Sequence, residues 1–298
     1  MPQPTIDAET CIACGACVGV CPCLVYRRTK DGVEVHPEHA DWCFACGQCM
    51  AVCPTEATRV AGFDYAHFPP LPGGVADPAA LEALFLSRRS VRRFTEEPVS
   101  PEALGDIVRL SAMAPFGVPP TDVEVTVFGT RGQIEAILPA VYTGMEQFMQ
   151  ALKNPIYRFL IRRQMGAEMF DALVEHLLPL IPPMCRMYRD TGFDAATWGA
   201  PAMLLFHHAK RSVSGKENCY VACTYAMLAA QALGLGTTMI GIMAGVIDMD
   251  KALRAELGIP DGNQCEISLI LGHPAASYRR AIPRAHKTVT WVEQPPRA

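Results

Sequence analysis

One cysteine-rich pattern is written twice near the start of the chain. Cys11-Ile-Ala-Cys14-Gly-Ala-Cys17-Val-Gly-Val-Cys21-Pro22 returns as Cys43-Phe-Ala-Cys46-Gly-Gln-Cys49-Met-Ala-Val-Cys53-Pro54. Three thiolates at two-residue intervals must wrap a tight turn around one small volume, and a fourth must come from elsewhere. The small residues Ala13, Gly15, Ala16, Ala45 and Gly47 let backbone N–H groups approach the sulfurs. Pro22 and Pro54 turn the chain away after the last cysteine of each run. Four converging thiolates of this kind hold a cubane iron–sulfur cluster. Zinc also takes C-x2-C pairs, but not two copies of C-x2-C-x2-C-x3-C-P.

Thirteen cysteines in a secreted chain would suggest disulfides. Met1 to Thr10, however, has no basic stretch leading into an apolar one, which argues against a secretory signal and for a reducing cytoplasm. The longest apolar stretches, Met239 to Ile247 and Tyr225 to Leu235, fall short of the roughly 20 residues a spanning helix needs. The net charge of −4 leaves no footprint for nucleic acid or an anionic membrane. At 298 residues the chain has room for two domains. The expected plan is a cysteine module over 1–62, a Pro/Gly-rich linker over 63–80, and a larger domain over 81–298 with a helical insertion at about 144–198.

Within this plan, Val25–Thr29 and Val33–Val35 flank Asp31-Gly32, a dipeptide that favours a tight hairpin turn. Asp77-Pro78 and Ser100-Pro101 read as helix starts, the second with a buried stripe of Leu104, Ile107, Val108 and Ser111. Val123–Phe128 alternates as a strand, Ala202–Phe206 and Ile267–Leu271 read as core strands, and Cys219–Leu233 and Asp248–Leu257 as helices. Cys23, Cys185, Cys219, Cys223 and Cys265 read as small buried hydrophobes, with a redox role open for Cys219 and Cys223 on one helix face. His207-His208 has no carboxylate or thiol at ligand spacing and is not read as a metal site. Tyr142, Tyr157, Tyr188, Glu175 and His176 are possible proton donors that ordinary packing or solvation also explains, so no catalytic residue is assigned.

Over about residues 5–62 the doubled motif resembles bacterial two-cluster ferredoxins, although the segment between the halves is long for them. That resemblance implies two [4Fe–4S] clusters with crossed ligation, in which the fourth cysteine of each run serves the other cluster. One cluster would take Cys11, Cys14, Cys17 and Cys53, the other Cys43, Cys46, Cys49 and Cys21.

Downstream, Arg88-Arg89-Ser90-Val91-Arg92-Arg93-Phe94, then Gly234-Leu-Gly-Thr-Thr-Met-Ile-Gly241, then Leu269-Ile-Leu-Gly-His-Pro274 resemble, in that order, the nitroreductase family of FMN enzymes. The resemblance implies an α+β fold, with a mixed sheet flanked by helices, that dimerises with FMN at the interface. It assigns Arg88, Arg89, Ser90 and Arg92 to the phosphate, ribityl chain and pyrimidine edge. Guanidinium groups suit both the phosphate and an anionic reduced ring. Thr238, Met239, Ile240 and Gly241 would line the ring, and Arg280 or Arg284 would close on the phosphate. Where many members carry a polar Asn that reaches FMN across the dimer, this chain has Ala114-Pro115-Phe116-Gly117-Val118-Pro119-Pro120-Thr121. Contacts from Pro115, Phe116 and Gly117 would then be main-chain or apolar. Gly234-Leu-Gly236 does not continue as a dinucleotide fingerprint and follows a helix rather than a strand.

The expected protein is an FMN-dependent oxidoreductase whose clusters feed electrons to the flavin. The donor would be ferredoxin or NAD(P)H, and the acceptor a small nitro, quinone, activated-alkene or halogenated aromatic compound. Two other readings stay open: an electron relay or redox sensor without its own substrate, and an NAD(P)H reductase passing electrons outward through the clusters.

Overall fold

The structure is a computed structural model that describes residues 2–74, 77–118, 120 and 122–292. Val75 and Ala76 of the expected linker, and Pro119 and Thr121 of the segment after the second capped helix, lie outside the described residues.

The cysteine module is built twice over. Helices α1 (Ala16–Val20) and α2 (Gln48–Val52) each begin after a left-handed glycine, Gly15 at φ 74° and Gly47 at φ 75°. Ala13 and Ala45, at φ 53° and 57°, take the same strained turn one half apart, as do Leu24 and Glu56 at 53° and 56°. Strands β1 (Pro4–Ile6) and β4 (Thr58–Val60) pair antiparallel and close the module end to end. The intervening hairpin is β2 (Tyr26–Thr29) with β3 (Gly32–Val35). Its turn falls one residue earlier than Asp31-Gly32: Thr29 pairs with Gly32, which leaves Lys30 and Asp31 at the tip. Cys17, Val25, Tyr26, Cys49, Met50 and Val60 make a small core of their own.

The larger domain is one antiparallel sheet between two helical layers. Strands β5 (Val123–Phe128), β6 (Ala202–Ala209), β7 (Gly236–Ile240) and β8 (Asn263–Gly272) run in the order β5-β6-β8-β7. The sheet's parallel component is a single bridge, Ser90 to Thr237, at the β7 edge. β6 is buried on both faces, so its side chains divide by the two-residue period of a strand. Leu204 and Phe206 pack with α4 (Pro101–Ser111) and α9 (Gly215–Ala232), while Met203 and Leu205 pack with α5 (Arg131–Ala151), α8 (Ile181–Thr191) and α10 (Gly241–Met249). α9 lies close because the face it buries is mostly small: Cys219, Ala222, Cys223, Ala226, Ala229 and Ala230.

Helix starts follow local chemistry. Asp77 accepts from Ala79 N ahead of α3 (Pro78–Ser87), and Ser100 accepts from Ala103 N ahead of α4. Asn154 accepts from Ile156 N and Tyr157 N ahead of α6 (Pro155–Met165). Each cap precedes a proline that needs no amide partner there. Thr130 and Gln133 form a capping box on α5. The expected helix at Asp248–Leu257 is two: α10 ends at Met249, and Asp250 caps α11 (Lys251–Glu256). Gly144, the expected start of the helical insertion, sits inside α5, and the helical run continues through α6, α7 (Ala167–Ala172), a π turn at Leu173–Leu177 and α8.

Candidate cofactor sites

The fold draws cysteines of the two runs into two baskets that exchange members: Cys53 comes beside Cys17 and Cys21 beside Cys43. Burial pushes the Cys17 thiol above its usual pKa, and the nearby sulfurs of Cys53 and Cys11 push it further. Burial likewise raises Cys43, whose sulfur neighbours are Cys46 and Cys21, and Cys49, whose neighbours are Cys46 and Cys43. Cys53 is the exception. Burial pushes it up, but the backbone N–H groups of Thr58, Thr55 and Ala57 outweigh that and hold it low. Val25 N donates to Cys21 Sγ at 3.3 Å and Ala57 N to Cys53 Sγ at 3.2 Å, one matched pair in the two halves.

The baskets are wide. Among the described residues, His36, Glu38 and His39 are the only His, Cys, Asp or Glu group with ligand atoms all within 4.8 Å of one another. A tetrahedral zinc with Zn–S of about 2.3 Å needs its sulfurs about 3.8 Å apart. The cysteine sets are too open for one such ion and leave room for a larger group. Cys23 lies beside this chemistry, close to Cys21, Cys46 and Cys43.

The second site gathers at the β7 edge. Val91 N donates to Thr237 O at 2.9 Å, and Thr238 Oγ1 donates to Val91 O at 2.6 Å, which docks the Arg88–Arg92 segment along the strand. Only glycine allows this approach at 236, because a Cβ there would meet Val91 Cγ2 at 2.6 Å. Arg89 is buried and donates to three carbonyls: Leu86 O at 2.7 Å, Arg88 O at 2.6 Å and Arg280 O at 2.9 Å. Its Nε is buried without a partner among the described residues. Burial holds Arg88 below the usual arginine pKa, and repulsion from Arg284 and Arg89 lowers it further. Among the described residues no ion pair includes Arg88, Arg89, Arg92, Arg280 or Arg284. Three guanidinium groups crowded together without a carboxylate form a cradle that an anion would relieve.

The other expected residues divide. Thr238 and Ile240 are buried, while Met239 packs into the opposite core layer, so the side chains of 238–240 point to two faces of β7. What the strand end presents in one direction is backbone, continuing into Gly241 at the start of α10, where Ile240 provides no side-chain cap. Pro115, Phe116 and Gly117 are not brought to the cradle within this chain. Gly117 N donates to Asn218 Oδ1 at 2.6 Å, near the start of α9, whereas Arg88 Nη1 reaches Met227 Sδ at 3.5 Å near its end. Those anchor points are about 13 Å apart along the helix.

Sequence reasoning missed Trp198. Its ring lies under Arg92, with Cζ 5.1 Å from the ring centroid, and its backbone sits at φ 50°. Buried Asp194 fixes the approach. It accepts from Ala196 N at 3.0 Å, Thr197 N at 2.9 Å, Tyr142 Oη at 3.3 Å, Arg131 Nη1 at 3.0 Å and the Thr197 hydroxyl. Tyr142 in turn stacks on Tyr188 of α8 at 3.9 Å. Tyr142 is thus spent on structure. His207 and His208 are spent the same way, on Thr126 and Asn263, and on Glu266.

Burial pushes Cys219 and Cys265 up to about 12 and raises Cys223 and Cys185 as well. Almost no thiolate then exists at pH 8. Iodoacetamide at that pH is expected to leave these four unmodified in the native protein and to modify them after denaturation, as read by peptide mass mapping.

A chain with a doubled thiolate basket at one end and an unpaired cation cradle on a three-layer α+β sandwich at the other is made to hold two kinds of bound group. Residues 86–273 match the model of the nitroreductase family, and the chain belongs to that family. Residues 10–58 match the 4Fe-4S dicluster domain, so the N-terminal module carries two clusters. Among solved structures, the fold is similar to a nitroreductase with bound FMN from Bacteroides fragilis, at 17% identity, 72% coverage of this chain, 98% of that one and a TM-score of 0.55. It is also similar to a nitroreductase with bound FMN from Desulfitobacterium hafniense, at 20% identity, 71% and 97% coverage and a TM-score of 0.50. At these identities the likeness is one of fold. No curated protein matches the chain. No helix among the described residues is long and apolar enough to cross a membrane.

Proposed function

We propose that this chain is an FMN-dependent oxidoreductase in which the two clusters deliver electrons to a flavin held on the arginine cradle. The observation that carries the reading is the uncompensated set of Arg88, Arg89 and Arg284, with the orphaned Arg89 Nε inside it, in the same chain as two thiolate baskets. FMN, when bound, supplies an exchange between single-electron donors and two-electron reduction of an organic acceptor, and the clusters supply the single electrons.

The chain's own residues divide the work. Arg88, Arg284 and Ser90 bind the phosphate. Arg89, tied to Leu86, Arg88 and Arg280 carbonyls, holds the cradle together, and its buried Nε is left as a donor for the ligand. Arg92, steadied on Trp198, sits at the pyrimidine edge and offsets negative charge there. The N–H groups at the start of α10, which no side chain caps, would hold the ring. Cys11, Cys14, Cys17 and Cys53 hold one cluster, and Cys43, Cys46, Cys49 and Cys21 the other. Anchored at the start of α9, away from the cradle, Pro115–Gly117 serve the flavin of a second copy, so the working form is a homodimer. The donor is a low-potential one, ferredoxin or NAD(P)H. The acceptor is a small nitro, quinone, activated-alkene or halogenated aromatic compound.

Anaerobic stopped-flow mixing of the reconstituted holoprotein with reduced ferredoxin, NADH or NADPH tests the direction of flow. With reduced ferredoxin, cluster absorbance is expected to fall before the flavin bleaches, and chelation of the iron is expected to abolish that bleaching. Direct bleaching by NADH or NADPH, unchanged after the clusters are removed, would instead make the clusters an outlet.

A further inference from the structure

We propose that Tyr26 sets the two clusters at unequal reduction potentials by donating its buried hydroxyl to Cys49 Sγ, which favours the electron on the cluster of Cys43, Cys46, Cys49 and Cys21. The inference rests on that ligand assignment.

The repeat supplies an internal control. In both halves the backbone follows the same path: Ala13 and Ala45 at φ 53° and 57°, Gly15 and Gly47 at 74° and 75°, Leu24 and Glu56 at 53° and 56°. The amide donors to the crossing sulfurs also match, at 3.3 Å to Cys21 and 3.2 Å to Cys53. One amide is thus matched in the two halves, while Cys53 also draws on the N–H groups of Thr55 and Thr58, a backbone stabilisation of its basket against which the side chains act. The repeat aligns Tyr26 with Thr58, and here the halves part. Tyr26 is 3% exposed and its Oη donates to Cys49 Sγ at 3.3 Å. Thr58 is 2% exposed but gives its hydroxyl to Cys49 O at 2.9 Å, with Tyr65 Oη beside it. In the other basket two hydroxyls lie near Cys53 Sγ: Thr55 Oγ1, at a long 3.9 Å, and Tyr65 Oη, which donates to Thr58 O at 2.9 Å instead.

When a cluster takes up one electron it gains one negative charge, part of it on the thiolate sulfurs. An O–H donor stabilises that state more than the oxidised one and raises the potential. Burial sharpens the effect because little water screens it. A competing influence on the other basket is Arg28, whose guanidinium donates to Ala13 O and Cys14 O. It is exposed and touches carbonyls rather than sulfur, so solvent and salt weaken its field.

The test is an EPR-monitored redox titration of the holoprotein, wild type against Tyr26→Phe, after iron and acid-labile sulfide assays confirm two clusters in each. The expected result is that one of the two one-electron steps shifts downward by about tenfold in its equilibrium constant, about 59 mV, while the other stays put. Replacing tyrosine with 3-fluorotyrosine, a stronger donor, is expected to raise the same step in the wild type and to leave it unmoved in Tyr26→Phe. Steps that both stay unmoved, both move together, or move upward in Tyr26→Phe would overturn the proposal. A wild-type protein without two clusters would instead overturn the ligand assignment beneath it.

Discussion

Replacing Cys53 with serine is expected to unfold the N-terminal module, not merely to remove one ligand. Cys53 belongs by sequence to the second run, yet its sulfur stands beside Cys17 and its amide donors, Thr55, Ala57 and Thr58, lead into the strand that pairs with β1. Each crossing cysteine therefore fastens one half to the cluster of the other. The module's own core is only six buried residues, two of which are Cys17 and Cys49. A domain this small gains too little from apolar burial to stand alone, and cluster binding supplies folding free energy. Cys53→Ser and Cys21→Ser should both drop iron and sulfide by half or more and abolish the module's thermal transition in circular dichroism. Cys23→Ser, which removes a neighbouring thiol outside both runs, should keep its full iron content. Retention of one intact cluster with an unchanged transition in Cys53→Ser would mean that the halves are independent.

Arg88→Ala is expected to weaken FMN binding on the order of 10- to 100-fold, the loss of one charge-assisted hydrogen bond at about 1.5–3 kcal/mol. The same change should leave the apoprotein at least as stable as before. Among the described residues the Arg88 guanidinium makes one hydrogen bond, to the Met227 sulfur, and it is repelled by Arg284 and Arg89, so removing it relieves that repulsion in the apoprotein. Stability held and affinity lost is the signature of a residue kept for its ligand. Arg89→Ala, by contrast, should cost both, because that side chain ties Leu86, Arg88 and Arg280 together. Flavin fluorescence titration and thermal melting separate the two. An Arg88→Ala affinity within twofold of wild type would remove this arginine from the site.

What the sequence disclosed was whatever recurs locally. The cysteine repeat announced its own backbone symmetry, and the cap-and-proline pairs at Asp77 and Ser100 placed two helix starts to the residue. The strand alternation at Val123–Phe128 matched β5 end to end. Reading failed where geometry is set by distant partners. Nothing local tells Trp198 that it will lie under Arg92, or Asp194 that it will gather Tyr142, Arg131 and Thr197. The helix expected to begin at Asp248 begins later: Asp248 lies inside α10 with its carboxylate taken by Arg254 and Cys265 N, and Asp250 caps α11. Thr238–Gly241 looked like one lining because adjacent residues are adjacent in print, whereas a strand sends neighbours to opposite faces.

The latch between Arg89 and the Arg280 carbonyl joins residues 191 positions apart. That span has a consequence for birth order on the ribosome. Both thiolate baskets are complete once residue 53 has emerged, and the module can take its clusters while the rest is still being made. The cradle stays open until Arg280 and Arg284 appear, after every strand of the sheet. Chains fold from the N-terminus as they are synthesised, so the two cofactors would be captured at opposite ends of translation. A nascent chain stalled before residue 280 would already hold iron, and would have nowhere to keep a flavin.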